Sequence, residues 1–293
     1  MVTIKLNKKI FSDILRDIPD DANKGTLGTL SVVAGSECFR GAATLCVGAA
    51  LRTGTGIVRL VSVEKVIAGT AVRHPTCTYL PVKATEDGMI SHYALTRKLQ
   101  TLRSSTALLC GCGLGQSADT KKIVLDLIAL GKPTVLDADA LNVITPEPEI
   151  LKTSSNIIVT PHIGEMSRLT GKSINDIKAN RAECARDFSE RYGCITVLKD
   201  DVTHISVPGG EIYESALGTP GLAKGGSGDV LAGFIGGFLA QGYTAKEAAL
   251  LGNILHGLCA SLCAEENGIR AMLPDQLSNY VPRVLTSLNV NNT

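Results

Sequence analysis

The chain has 293 residues, 44% of them hydrophobic, and a formal net charge of +1 with acidic and basic residues scattered along it. That supply of apolar residues excludes a disordered chain, and the absence of a polybasic face makes nucleic acid or an anionic membrane a poor partner. No apolar run is expected to reach the roughly 20 residues of a spanning helix, and the N-terminus lacks an apolar signal core, so a cytoplasmic protein is expected.

Residues 1 to about 22 read as a leading helix with weak capping signals. Short β-rich runs then alternate with helical patterns, the signature of a mostly parallel sheet with helices on both faces. Strands are expected at Thr29–Val33, Ile57–Val61, Thr76–Pro81, Ala107–Cys110, Thr134–Leu136, Ile157–Thr160 and Ile195–Leu198. Helices are expected at Ala42–Arg52, Tyr93–Leu102, Thr120–Leu130, Gly164–Leu169 and Ile174–Arg191. Near residue 200 the pattern changes to a hairpin, Val202–Val207 and Glu211–Ser215 around Pro208-Gly209-Gly210. Helices alone follow: Gly228–Gln241, Ala245–Glu265 and a last one opening near Pro274 or Asp275. No linker, repeat or low-complexity tract interrupts the chain, which favours one domain over residues 1–293.

Ligands of such sheets sit beyond the carboxyl ends of the strands, and glycines and charged residues gather at those ends. They are Gly35-Ser36 with Arg40-Gly41-Ala42-Ala43, Gly111-Cys112-Gly113-Leu114-Gly115, Asp137-Ala138-Asp139, Thr160-Pro161-His162 with Gly164-Glu165, and Lys199-Asp200-Asp201. The run Gly218 to Gly233 is the most informative. In it Gly225-Gly226-Ser227-Gly228 directly precedes Asp229 and an apolar helix. Glycines let backbone N–H groups crowd an anion, and a helix start adds unpaired N–H groups and the positive dipole end. A carboxylate at that rim can take the proton of a hydroxyl attacking phosphorus, so the reading is phosphoryl transfer to an alcohol. The plain alternative is a tight loop with a first-turn acid.

Other motifs carry two readings each. Gly111–Gly115 is a ligand loop or a simple turn. Asp137 and Asp139 hold Mg²⁺ through water or cap the helix behind them, with a structural role favoured for Asp137. His162 is functional or a helix-entry residue bonding backbone. Lys199 is a phosphate contact or one half of a surface ion pair. The nine cysteines read as reduced core residues; metal binding at His256, Cys259 and Cys263 lacks a fourth ligand, and Cys110 and Cys112 read as buried packing.

Taken together, these pieces resemble the ADP- or ATP-dependent NAD(P)H-hydrate dehydratases of the ribokinase-like superfamily, from about Lys24 to Asp275. The matching runs are Lys24-Gly25 with Val32 to Ser36, Arg40 to Ala43, Gly113 to Gly115, Leu136 to Asn142, Thr160 to His162 with Gly164-Glu165, and Gly225 to Gly233. The resemblance implies that Ala42, Gly113, His162 and Asp229 contact the hydrated dinucleotide, Asp229 being also the catalytic base. It implies that Lys199, Asp200, Asp201, Val202 and Thr203, with the loop from Thr219 through Gly225, Gly226, Ser227 and Gly228, hold the adenine nucleotide. Cys112, Asp200 and Lys224 depart from the family pattern, which usually has Pro, Gly and Thr there. The Asp200 charge would repel phosphate unless it points away or meets a cation, Lys224 being one candidate.

The implied activity is ADP- or ATP-dependent dehydration of the S epimer of hydrated NADH or NADPH with Mg²⁺, through a phosphorylated intermediate. The resemblance carries no metal ligands. A separate epimerase acting alongside and a homo-oligomer are expected. The competing readings are a kinase of the same superfamily acting on a vitamin precursor or sugar hydroxyl, and a nucleotide sensor without turnover.

Overall fold

The computed structural model describes residues 3–154 and 156–288. Ten strands form one sheet: β1 (Thr3–Lys5), β2 (Thr29–Val33), β3 (Ile57–Ser62), β4 (Thr78–Pro81), β5 (Ala107–Cys110), β6 (Thr134–Leu136), β7 (Ile157–Val159), β8 (Ile195–Leu198), β9 (Thr203–Ser206) and β10 (Ile212–Ser215). Their order is β1-β10-β9-β8-β7-β6-β5-β2-β3-β4, parallel throughout except where β9 runs against β8 and β10. Central strands such as β5 and β6 are buried along their whole length. That is why they read as continuous apolar runs rather than alternating ones.

Helices surround the sheet. In the first half they are α1 (Lys8–Ile14), α2 (Arg40–Arg52), α3 (Glu64–Arg73), α4 (His92–Thr96), α5 (Leu99–Arg103), α6 (Ala118–Ala129) and α7 (Asp139–Ile144). In the second half they are α8 (Ile163–Thr170), α9 (Ile174–Ala179), α10 (Arg181–Tyr192), α11 (Ser227–Ala240), α12 (Ala245–Asn267) and α13 (Val281–Ser287). One hydrophobic cluster runs from Leu6 to Val284 through all of them.

The leading helix is the main correction. Thr3–Lys5 is a strand pairing parallel with β10, and only Lys8–Ile14 is helical. An unpaired edge of β10 would expose a row of backbone groups, and the β-branched Thr3 and Ile4 suit the strand that covers it. Leu6 N–H adds a further bond to the Glu214 carbonyl at 2.8 Å. The expected helix Tyr93–Leu102 is two short ones broken at Lys98, and Ile174–Arg191 breaks at Asn180, whose φ of −134° and ψ of 45° leave the helical region. α3 was not expected. The last segment is a 3₁₀ turn over Pro274–Tyr280 before α13. Contrary to expectation, α12 is long and apolar enough to cross a membrane by length and composition, but most of it is buried within the fold as a core helix.

The order also fixes where a ligand can enter. From β2 the chain builds outward through β3 and β4, then returns to the other side of β2 with β5 and continues away. The loops after β2 and β5 therefore part company at a topological switch point, the expected crevice in an open parallel sheet. In register, Val33 lies beside Val61 and Cys110, so Gly35 and Gly111 emerge at the same edge.

Candidate active site

Two interlocked loops form the crevice wall. Gly35 N–H donates to the Cys112 carbonyl at 2.8 Å and Ser36 Oγ to the Gly113 carbonyl at 2.8 Å. Gly111 must be glycine: its φ is +127°, and a Cβ would lie 1.8 Å from the Asp137 carbonyl oxygen. Asp139 pins the loop from below, accepting from Gly115 N–H at 2.8 Å and from Gln116 Nε2 at 3.3 Å. Between the acids, Ala138 is the one non-glycine with positive φ (49°) among the described residues. Backbone strain of this kind collects at functional sites. Asp139 thus opens α7 and orders a loop, the structural side of its two readings.

Asp137 is 2% exposed and carries the electrostatics of the site. Its Oδ1 accepts from Lys199 Nζ at 2.7 Å and from Thr160 Oγ1 at 2.6 Å, while Oδ2 faces the Cys112 thiol at 3.5 Å. Lys199 is therefore half of an inward ion pair, not a surface one. Burial works against its ammonium, but Asp137 and Glu165 outweigh that and hold its pKa above the usual lysine value.

Asp229 stands in the first turn of α11, where the dipole favours a carboxylate. α11 reaches this depth because Gly233, one turn on, lets it press against α2: a Cβ there would lie 2.4 Å from the Cys46 carbonyl oxygen. Ahead of the helix, Gly226 takes the left-handed conformation at φ +101°. Among the described residues, the N–H groups of Gly225, Gly226, Gly228 and Asp229 find no hydrogen-bond acceptor. A side chain on Gly228 would meet Lys199 Nζ at 3.3 Å, so the hollow is kept clear between free amides and a cation. That is the composition of an anion cradle. Burial and the neighbouring Asp137 push the Asp229 carboxyl up to about 6, against the opposing pull of the Cys112 thiol and Lys199. An acid so placed is mostly ionised near neutrality yet basic enough to accept a proton.

His162 takes the helix-entry role of its second reading. It caps α8, its Nδ1 accepting from Gly164 N–H at 2.9 Å and Glu165 N–H at 3.3 Å, and Glu165 returns the bond to His162 N–H at 2.8 Å. Burial, then Lys199 and Arg168, lower its pKa, so the ring is neutral and its proton sits on Nε2. With its side chain 54% exposed, that N–H is available to a ligand. A backbone bridge places His162 beside Lys199. Across the crevice, Gly113 adopts φ +65° with Ala42 so near that a Cβ would come within 2.7 Å of the Ala42 Cβ.

The remaining expected residues divide. Asp200 meets its cation in Arg181, whose Nε donates at 2.7 Å, while Nη2 reaches Asp201 at 3.1 Å. Lys224 does not serve Asp200; it donates to the carbonyls of Arg270 and Met272. Val202 precedes β9 and Thr203 opens it, both half-buried. Thr219 caps the turn at Pro220 by accepting from Gly221 N–H at 3.3 Å, and makes no bond to the Asp229 group. Ser227 Oγ is buried without a partner at the cradle, as is His256 Nε2. Burial lowers the His256 pKa to about 4, and no metal group forms with Cys259 and Cys263 among the described residues.

Two participants escaped the sequence. Arg181 opens α10, and nothing near it in the chain announces its acidic partners. Cys46 lies one helical turn beyond Ala42, and its Sγ, the Cys112 Sγ and an Asp229 oxygen all lie within 4.8 Å of one another.

Residues 30–283 match the NAD(P)H-hydrate dehydratase family. A bifunctional NAD(P)H-hydrate repair enzyme Nnr of Thermofilum pendens is 36% identical over 92% of this chain and 52% of its own length. The ADP-dependent (S)-NAD(P)H-hydrate dehydratase of Neisseria meningitidis serogroup B is 35% identical over 90% of this chain and 86% of its own. This chain thus spans about half the length of the bifunctional relatives and most of the length of the monofunctional one. The crystal structure of the Bacillus subtilis ADP/ATP-dependent NAD(P)H-hydrate dehydratase, co-crystallized with ATP and Mg²⁺, superposes with a TM-score of 0.84 at 29% identity, covering 99% of this chain and 100% of that one. The expected fold is thereby borne out along the chain, and with more than four-fifths of its residues inside the family match, the protein belongs to the NAD(P)H-hydrate dehydratase family.

Proposed function

We propose that this protein dehydrates the S epimer of hydrated NADH or NADPH, using ADP or ATP as phosphoryl donor and regenerating the reduced dinucleotide. The observation that carries the reading is the Asp229 carboxyl, raised to about 6, at the mouth of free amides on α11. The names of the relatives support the same activity.

The substrate bears a hydroxyl on C6 of the nicotinamide ring, and hydroxide is too poor a leaving group to depart unaided. In this reading Asp229 takes the hydroxyl proton as the oxygen attacks the terminal phosphorus. The amides of Gly225, Gly226 and Gly228 hold the charge that develops on the phosphoryl oxygens, and Lys199, restrained by Asp137, adds a fixed positive charge beside them. Neutral His162 offers its Nε2 proton to the substrate, while Ala42 and Gly113 form the close wall against which the ring lies. The phosphate then leaves, pushed by the ring nitrogen, and loss of a C5 proton restores the dihydronicotinamide. Lys199 to Thr203 and the loop from Thr219 hold the nucleotide, with Arg181 neutralising Asp200.

The cradle fits a polyphosphate. Mg²⁺ has no comparable nest, because Asp137 Oδ1 and both oxygens of Asp139 are engaged by protein donors. When present, the ion neutralises phosphate charge on the nucleotide, and no step above is routed through it. The same reading takes residues 1–293 as one dehydratase domain of a cytoplasmic homo-oligomer that acts alongside a separate epimerase.

The test mixes the protein with hydrated NADH, Mg²⁺ and either ADP or ATP while following dihydronicotinamide absorbance in the near ultraviolet. Recovery of the chromophore with stoichiometric inorganic phosphate supports the proposal. A stable phosphoester without chromophore identifies a kinase instead, and neither product removes the reading.

A further inference from the structure

Beside Asp229 stand two thiols, Cys46 and Cys112, that the chemistry above does not use. Both sulfurs are fully buried, both cysteines are free thiols, and their Sγ atoms and an Asp229 oxygen lie within 4.8 Å of one another. No other group of three or more such side chains gathers this closely among the described residues. We propose that these three residues form a site for a thiophilic divalent cation, Zn²⁺ foremost, and that its occupation withdraws Asp229 from catalysis. The second half rests on the function proposed above, and the first does not.

The donor set argues for the cation class. Two sulfurs and one carboxylate oxygen suit Zn²⁺, Co²⁺ or Cd²⁺ and repel Mg²⁺, which prefers oxygen alone. With Zn–S near 2.3 Å and Zn–O near 2.0 Å, two sulfurs and an oxygen in tetrahedral positions stand about 3.5 to 3.8 Å apart, so contraction of at most about 1.3 Å from the observed 4.8 Å limit completes the site. The ligands come from three anchored places: Cys46 from α2, Cys112 from the interlocked loop after β5, and Asp229 from the first turn of α11. Gly233 fixes the spacing between α2 and α11, as its close approach to the Cys46 carbonyl requires.

A supporting contact is also present. Asp137 Oδ2 lies 3.5 Å from the Cys112 sulfur, while its other oxygen is held by Lys199 and Thr160. Once the Cys112 proton has left, that carboxylate acts on the site through its negative charge, which favours a cation there. Lys199 opposes a cation, but its charge is already paired with Asp137. Three protein ligands leave a fourth position for water. On entry the cation displaces one proton from each thiol, two protons leave to solvent, and no oxidant is needed. The Asp229 lone pair that would take the substrate proton is then bound to metal.

The experiment titrates chelator-treated full-length protein with Co²⁺. The expected result is a thiolate-to-cobalt charge-transfer band with tetrahedral visible bands, saturating at one equivalent and abolished by Zn²⁺. Cys46→Ala should weaken Co²⁺ binding at least tenfold and diminish the band. Asp229→Asn, which leaves both sulfurs, should weaken binding while keeping the band, and so covers the case in which Cys46→Ala misfolds. In the hydrate assay, the Zn²⁺ concentration for half inhibition should rise at least tenfold in Cys46→Ala relative to wild type. Absence of the thiolate band in the wild-type protein, or Zn²⁺ inhibition unaltered by Cys46→Ala, overturns the site. A protein that shows the band but never dehydrates the hydrate overturns the function and leaves the site standing.

Discussion

Asp229→Asn separates the chemical role of the carboxyl from its electrostatic cost, because the two effects have opposite signs. Its pKa rises from an ordinary 3.8 to about 6 in the fold, chiefly through burial and then through Asp137. A group raised in this way stabilises the folded state fully below about pH 4 and loses that contribution as pH climbs through about 6. The gap corresponds to about 3 kcal/mol, an upper figure since the side chain is partly exposed. Asparagine keeps the shape and has nothing to ionise. The variant should therefore melt at about the wild-type temperature near pH 4 and higher by roughly 5 °C near pH 8, at about 2 °C per kcal/mol for a chain of this size. Turnover of the hydrate should fall by about 10² to 10⁴, the range for loss of a general base, while ADP binding measured calorimetrically changes little. Wild-type turnover should also decline as pH falls through about 6, where Asp229 takes up its proton. Turnover within tenfold of wild type would refute the assignment of the base. Equal melting differences at both pH values would refute the buried charge beside Asp137.

Three other substitutions probe the shell around this acid. Asp137→Asn leaves the Lys199 ammonium without its 2.7 Å partner and should cost about 3 to 5 kcal/mol in urea unfolding; by removing a negative neighbour it should also move the acid limb of the pH–rate profile downward, since Asp137 raises the Asp229 pKa. Gly113→Ala places a Cβ 2.7 Å from that of Ala42 at φ +65°, which should cost about 1 to 3 kcal/mol and raise the KM for the hydrate more than that for ADP. Arg181→Met releases the Asp200 and Asp201 charges, so ADP affinity should drop several-fold at low salt, less at high salt, and recover in the double variant with Asp200→Asn.

The parallel core was legible because its strands are buried on both sides and bounded by glycine, proline and aspartate, as at Ala107–Cys110 before Gly111. The chain start was not, because Thr3–Lys5 becomes a strand only when β10 presents an open edge, and β10 lies two hundred residues downstream. The position of residues at strand ends was legible for a similar reason: Gly113, Asp137, His162 and Lys199 follow parallel strands at the carboxyl edge of the sheet, each with a local sign. Arg181 and Cys46 have no such sign. Their meaning arises from packing between helices and loops distant in sequence, which periodicity cannot express.

The same distinction explains how the site works as a layered object. Asp229 alone, in the first turn of a helix with free amides, would be a well-solvated acid of low pKa. Its pKa is raised because Gly233 lets α11 sink against α2, which buries the carboxyl, and because Asp137 sits behind it. Asp137 is 2% exposed and is held by donors from Lys199 and Thr160, and Lys199 is carried there by β8 beside β7. The raised pKa of Asp229 therefore belongs to the pairing of strands and helices as much as to the residue itself. The Asp137→Asn shift in the pH–rate profile is its direct measure: if the acid limb stays where it was, burial alone sets the basicity of Asp229, and Asp137 serves only to hold Lys199.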